Sequence, residues 1–242
     1  RITNIFISDY TVSKIFCPPK KDLNFKGFTS MLNKGKIVVL NMNIAEYRNL
    51  SKIIATYLKL DFQSEVMYNL SHSRVRPSAF ICDEYAEYIT KTDADFFSLS
   101  REAKCINIVS TQSYSSLKNT LKDETAVKVI IQNLINKIWF RTDDIFTIEE
   151  TQKQLGKEEK LHTSKSISEN AKETKYSYIT NSLNSQNSSI SESVNTYTQK
   201  DFIYDTKFFT QNLETFSSLA FLSDGTHILK PTKLKMFPYF KK

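Results

Sequence analysis

Four short apolar runs punctuate the chain: GKIVVLN at 35–41, SAFICDEY at 78–85, INIVSTQ at 106–112 and NKIWFRT at 136–142. Runs of this length without polar alternation fit strands buried on both faces. The stretches between them carry apolar residues at helical spacing. Leu50, Ile53, Ile54, Tyr57 and Leu58 fall at i, i+3, i+4, i+7 and i+8, with Asn43 placed to cap the helix. Phe96, Phe97 and Leu99 follow Thr92 or Asp93 as a cap, and Val127, Ile130, Ile131 and Leu134 mark another helix. Strands alternating with helices predict an α/β fold, a mostly parallel sheet with helices on both faces.

The flanks of this pattern differ from it. Ile2, Ile5, Phe6, Ile15 and Phe16 read as one or two helices that stop at Pro18-Pro19, because proline cannot continue a helix interior. A chain that opens inside an amphipathic pattern is expected to be part of a longer protein. Residues 1–34 are therefore expected to end a helical region that leads into a core at 35–161. From 162 to 200 Ser, Thr and Asn dominate and too few apolar residues remain to build a core. The period-two alternation in SKSIS and SISESVNTYT fits an exposed β-hairpin, while the composition fits disorder equally well. Residues 201–242 hold a short helix in DTKFFTQNL and two strands joined around Asp224-Gly225, with the last strand expected to add to the sheet.

Composition narrows the classes of function. No apolar run approaches the roughly 20 residues that span a bilayer, and no signal-like segment opens the chain. Cys17, Cys82 and Cys105 are too scattered for a metal knuckle, and two of them lie in apolar runs, which suggests a reducing, cytoplasmic setting. The net charge of +7 favours anionic partners only weakly, since 26 acidic residues offset 33 basic ones. The one local concentration, Lys230, Lys233, Lys235, Lys241 and Lys242, also reads as an ordinary basic surface.

The stretch richest in chemistry is AFICDEYAEY, in which an apolar strand delivers Asp83 and Glu84 at its carboxyl end. Open α/β sheets bind ligands at that edge. Two adjacent acids divide the labour of a Walker B element. Asp83 would hold hydrated magnesium (Mg2+) against nucleotide phosphates, and Glu84 would orient or deprotonate the attacking water. Acids also occur at strand ends and helix starts for capping alone. The next strand runs out into Ser110, Thr111, Gln112 and Ser113, where Gln112 is a candidate sensor of the γ-phosphate or the lytic water. The plainer reading is a polar strand end before a Ser-capped helix. Arg101 is a candidate arginine finger acting on an adjacent subunit, or a solvated charge paired with Glu102 or Asp95. Arg141 is the second candidate.

FICDEYAEYIT, DADFFSLSREAKCINIVSTQSYSSL and NLINKIWFRTDDIFTIEETQKQLGK together resemble the coupling proteins of type IV secretion, of the TraG/TraD kind. The opening RITNIFISDYTVSKIFCPPKKDLNFKGFTSMLNKGKIVVLNMN is similar to that family's exit from an all-helical domain, and DGTHILKPTKLKMFPYF to its closing hairpin. The likeness covers residues 1 to about 160 and 200–242. It leaves 162–200 as an insertion without a counterpart. The resemblance implies a RecA-like P-loop NTPase core that uses ATP and magnesium, with Asp83, Glu84, Arg101 and Gln112 at functional positions. It also implies a homo-oligomer, as a rule a hexamer, attached to the inner membrane through an upstream segment. Its partners would be single-stranded DNA or a relaxase–DNA complex, or protein cargo, and the components of the secretion channel.

One departure bears on activity. The chain has four glycines, Gly27, Gly35, Gly156 and Gly225, and no G-x-x-x-x-G-K-[ST] loop to cradle phosphates. The piece is therefore expected to be inactive alone, with the loop either upstream in a longer protein or lost. Two other readings stand beside the conjugative motor: a non-catalytic partner-docking domain, and a DNA-pumping ATPase of segregation or packaging.

Overall fold

A computed structural model of the protein describes residues 8, 10–41, 44–170, 175–177, 182–184, 189–238 and 240. Ile2, Ile5 and Phe6, the cap at Asn43, and Lys241 and Lys242 lie outside the described residues, as does part of 162–200. Two compact units result, Arg1–Lys137 with Phe221–Leu229, and Ile138–Ala220 with Lys230–Lys242.

In the first unit, α1 (Tyr10–Phe16) stops before Pro18-Pro19, and a 3-10 turn (Lys20–Asp22) leads to α2 (Phe28–Asn33). The run GKIVVLN is not a strand. Residues 36–41 have no regular structure, and Ile37 and Val39 are 91% and 80% exposed. A strand needs a neighbour for its N–H and C=O groups, and no described strand pairs with this run.

The 28-residue helix α3 (Ile44–Ser71) buries a stripe other than the expected one. Ser51, Ile54, Lys59, Phe62, Gln63 and Val66 face inward, and Tyr57 is 68% exposed. The stripe is set by what it packs on, an aromatic ring on one strand and a buried carboxylate. Apolar spacing alone cannot reveal the second of these.

Strands β1 (Ser78–Cys82) and β2 (Cys105–Val109) pair in parallel, from Ser78 opposite Cys105 to Cys82 opposite Val109. Helix α4 (Asp93–Ser100) lies between them in sequence and buries Phe96 and Phe97, while Leu99 turns outward. Phe80 of β1 stacks on Phe62 at 5.9 Å, and Phe28 meets Phe62 edge-on at 5.5 Å. These contacts cover one face of the pair. The other face, with Ile81, Ile106 and Ile108, is open. The strands are thus covered on one side rather than two, because no described element packs on the second side.

Helices α5 (Tyr114–Leu121) and α6 (Glu124–Asn133) begin at side-chain caps. Ser113 accepts the N–H of Ser116 and Asp123 that of Ala126, both at 3.1 Å. Val127 and Ile130 of α6 are fully buried, as their spacing predicts. In the turn around Gly225, the Asp224 carboxylate accepts the N–H groups of Thr226 and His227, and these bonds hold its pKa below the usual value.

The second unit takes the chain from the end of β3 (Lys137–Trp139) into α7 (Ile145–Leu155). The run 136–142 does not join the parallel pair. β3 belongs to a separate sheet of order β3-β8-β9, with β8 (Ser217–Phe221) and β9 (Thr232–Lys235) antiparallel. It is also not apolar on both sides, since Lys137 and Trp139 are buried while Ile138 and Phe140 are half exposed.

Helix α7 starts on the Asp144 cap, 2.9 Å from the Thr147 N–H, and ends at Gly156. Gly156 has φ 84° and ψ −166°, a conformation open in practice to glycine alone. From there β4 (Lys157–Asn170) pairs antiparallel with β7 (Ser189–Phe202), and the short β5 (Lys175–Ser177) pairs with β6 (Ser182–Asn184). The described residues of the polar stretch thus form a hairpin ladder. A π-helical turn (Phe208–Asn212) stands where a short helix is expected.

Candidate active site

Because β1 and β2 run in parallel and in register, their carboxyl ends finish side by side. The Ser110 N–H donates to the Cys82 carbonyl at 3.0 Å, and the Tyr85 N–H donates to the Ser110 carbonyl at 2.8 Å. Two consecutive backbone bonds therefore fasten the residues after β1 to those after β2. Asp83, Glu84 and Gln112 come together at this edge.

The carboxylates are held differently. Asp83 accepts the Ser110 hydroxyl and, at 3.0 Å, the Glu84 N–H. Glu84 takes a left-handed backbone, φ 50° and ψ 44°, which costs a non-glycine residue on the order of 1 kcal/mol. Its carboxylate meets the Gln112 amide nitrogen at 3.2 and 3.3 Å. The plainer reading of the second strand end also holds in part, since Ser113 caps α5. Capping leaves Gln112 on the acid.

Directly behind the acids lies a network that sequence reasoning missed. Asp93 is fully buried and accepts from Lys59 at 2.6 and 2.5 Å, Gln63 at 3.0 Å, the Tyr85 hydroxyl at 2.6 Å and the Thr90 N–H at 2.9 Å. Lys59 also donates to the Tyr88 carbonyl at 2.8 Å and to the Thr90 hydroxyl at 2.9 Å. Burial pulls the Lys59 ammonium below its ordinary pKa, opposed by the charge of Asp93 and its hydrogen bond. Burial, with Asp93 adding to it, pushes the Tyr85 phenol up, so it stays protonated and can donate. Tyr85 follows Glu84 directly and is 0% exposed. The network thus anchors the residue that carries the chain out of the left-handed turn. The available signal was polar residues, Lys59 and Gln63, at helical spacing with the buried Ile54, Phe62 and Val66.

Burial also raises the Cys82 thiol to about 11, so it remains protonated beside the acids and is no nucleophile at neutral pH. Glu87 pairs with Lys52 on α3. Arg101 sits at the opposite end of the sheet from the acids. The Lys104 N–H donates to its carbonyl, and the Lys104 carbonyl accepts from Ser78 at the start of β1. It is exposed and makes no ion pair with Glu102 or Asp95 among the described residues. Within one chain, then, Arg101 does not join the acid pair. Arg141 lies just after β3, in the second unit.

The oxygen donors at this edge fit magnesium, which as a rule binds one or two carboxylates and keeps several waters. Asp83 is exposed and supplies such a carboxylate. Among the described residues no three His, Cys, Asp or Glu side chains cluster as an all-protein metal cage. No described helix is long and apolar enough to cross a membrane.

A family profile described as "TraM recognition site of TraD and TraG" matches residues 77–206, more than half of the chain. A structural match to the bacterial conjugative coupling protein TrwBdeltaN70, in its unbound monoclinic form, has a TM-score of 0.48 and 14% identity and covers 77% of this chain. This chain spans 38% of the length of that one. No curated protein matches the sequence.

Proposed function

Because the chain belongs to the TraG/TraD-type coupling proteins, as their C-terminal part, we propose that it is the water-activating portion of an ATP-driven conjugative motor with a RecA-like core. The observation that carries this reading is the convergence of Asp83, Glu84 and Gln112 at one parallel strand edge. Glu84 takes the proton of the attacking water, and Gln112 orients that water or the phosphate through its amide. Asp83 holds a water of the magnesium shell. Magnesium, when bound, supplies positive charge to the phosphate oxygens. Arg101, remote from this edge in its own chain, serves a site on an adjacent copy.

The phosphate cradle is not in this chain, and we place it upstream in a longer protein. The open face of β1 and β2 and the exposed run at 37–40 are surfaces the remainder of such a core would cover. In that longer protein, Glu84→Gln is expected to abolish ATP turnover while nucleotide stays bound, read by a coupled ATPase assay beside equilibrium binding. Unchanged turnover would remove Glu84 from the role of base.

A second reading is favoured by the family description, which names a recognition site for TraM. On this reading the chain presents a docking surface for a relaxosome-related partner, and the two readings are compatible in one protein.

A further inference from the structure

The ladder of β4 and β7 has two strands, so each strand has an outer edge with no strand beside it among the described residues. The two edges differ in charge. Across the rungs from Ser193 to Gln199, β4 carries Lys160 and Lys165, whereas β7 carries no charge and no proline, its charges Glu192, Lys200 and Asp201 lying outside that stretch. Charged residues and proline are what edge strands normally use to forbid further pairing. In their place β7 has Val194, Thr196, Tyr197 and Thr198, residues suited to a sheet interior. The register puts Val194 on the same face as Leu161 and Ile167, and all three are more than half exposed. A two-stranded ribbon with such a face is marginal by itself.

The sequence of β7 is complementary to itself. With two copies antiparallel about an axis at Thr196, Val194 faces Thr198, Asn195 faces Tyr197 and Ser193 faces Gln199. Glu192 then faces Lys200, once on each side of the axis. Each pair lies on one face of the sheet, because the partners have equal parity about the axis. Moving the axis to Asn195 or Tyr197 sets Glu192 opposite Thr198 or Phe202 and loses both charge pairs. Charge therefore selects the register centred on Thr196.

We propose that β7 is a self-recognition edge, through which a second copy of this chain adds its own β7 antiparallel to give a continuous four-stranded sheet of order β4-β7-β7-β4. This pairing goes beyond the motor reading and does not depend on it.

The test is the self-association of the 242-residue chain, followed by sedimentation velocity across a concentration series. Glu192→Lys and Lys200→Glu, each alone, set like charges opposite one another twice and are expected to weaken association on the order of tenfold. Mixed in equal amounts, the two variants are expected to associate as the unaltered chain does. The new lysine of one then faces the new glutamate of the other, and the native Lys200 faces the native Glu192. Because Glu192 also pairs with Lys165 within the chain at 3.7 Å, Thr196→Glu supplies a variant that disturbs the axis and leaves that pair intact. Unaltered far-UV circular dichroism and urea midpoints establish that the variants are folded. A chain that stays monomeric throughout, a mixture no better than its components, or β7 occupied only by a different protein would each overturn the proposal.

Discussion

Asp93 receives donors from Lys59, Gln63, Tyr85 and Thr90, and that count decides how its loss differs from the loss of one donor. Asp93→Ala strands a buried ammonium, a phenol and an amide together, and is expected to cost about 3–5 kcal/mol. Lys59→Met leaves the carboxylate with its other donors and is expected to cost less, about 1–3 kcal/mol. Urea unfolding of the two variants checks the order, and an equal or reversed order would mean that Lys59 alone supports the anion. At this scale the acid pair was legible because two adjacent carboxylates after an apolar run are conspicuous in sequence. The left-handed turn at Glu84 and the carboxylate behind it were not, since both depend on partners more than twenty residues away. Asp93 in particular looks like an ordinary helix cap, yet Thr92 and Asp93 make no cap bond, and the carboxylate turns inward to Lys59 instead.

Elements whose signals are local came through the sequence well. Ser113 caps the helix that follows it, Val127 and Ile130 are buried as their spacing requires, and the turn forms around Asp224-Gly225. Caps also carry measurable energy. Asp144→Ala removes the acceptor for the Thr147 N–H and is expected to cost about 1 kcal/mol, seen as a shift of the unfolding midpoint with unchanged slope. A shift below about 0.3 kcal/mol would mean that water replaces the cap. Elements that depend on distant partners were less legible. GKIVVLN has the composition of a strand and lacks a neighbour among the described residues, whereas NKIWFRT has its neighbour in β8, from the other end of the chain. An apolar run states a capacity to pair, and only the fold supplies the partner.

For the molecule as a whole, pH sets opposing buried groups against each other. Burial lowers the Lys137 pKa from 10.5 to about 8, and its ammonium lies 5.9 Å from the centre of the Phe221 ring. Between these two values the unfolded chain holds a proton that the folded chain has released, so this group adds stability as pH rises. Below about 8 both states are charged and burial of the charge weighs fully on the fold. Cys82 acts in the opposite sense, since its thiol is raised from 9 to about 11 and the folded state keeps the extra proton, so stability is lost across that window. The difference between the unaltered chain and Lys137→Met isolates the lysine. The variant is expected to be the more stable at pH 7 by on the order of 1–3 kcal/mol, with the gap closing towards pH 10.5. A gap that does not change with pH would contradict a buried ammonium.

The open side of β1 and β2 has a practical consequence for anyone handling the chain. Ile81, Ile106 and Ile108 present an apolar sheet surface in the native state, and dyes such as ANS report such surfaces irrespective of their origin. Bright dye binding by this protein would therefore not diagnose a molten state. Near-ultraviolet circular dichroism from Trp139 and the tyrosines, with a cooperative thermal transition, separates a well-packed chain that binds dye from one whose packing has been lost.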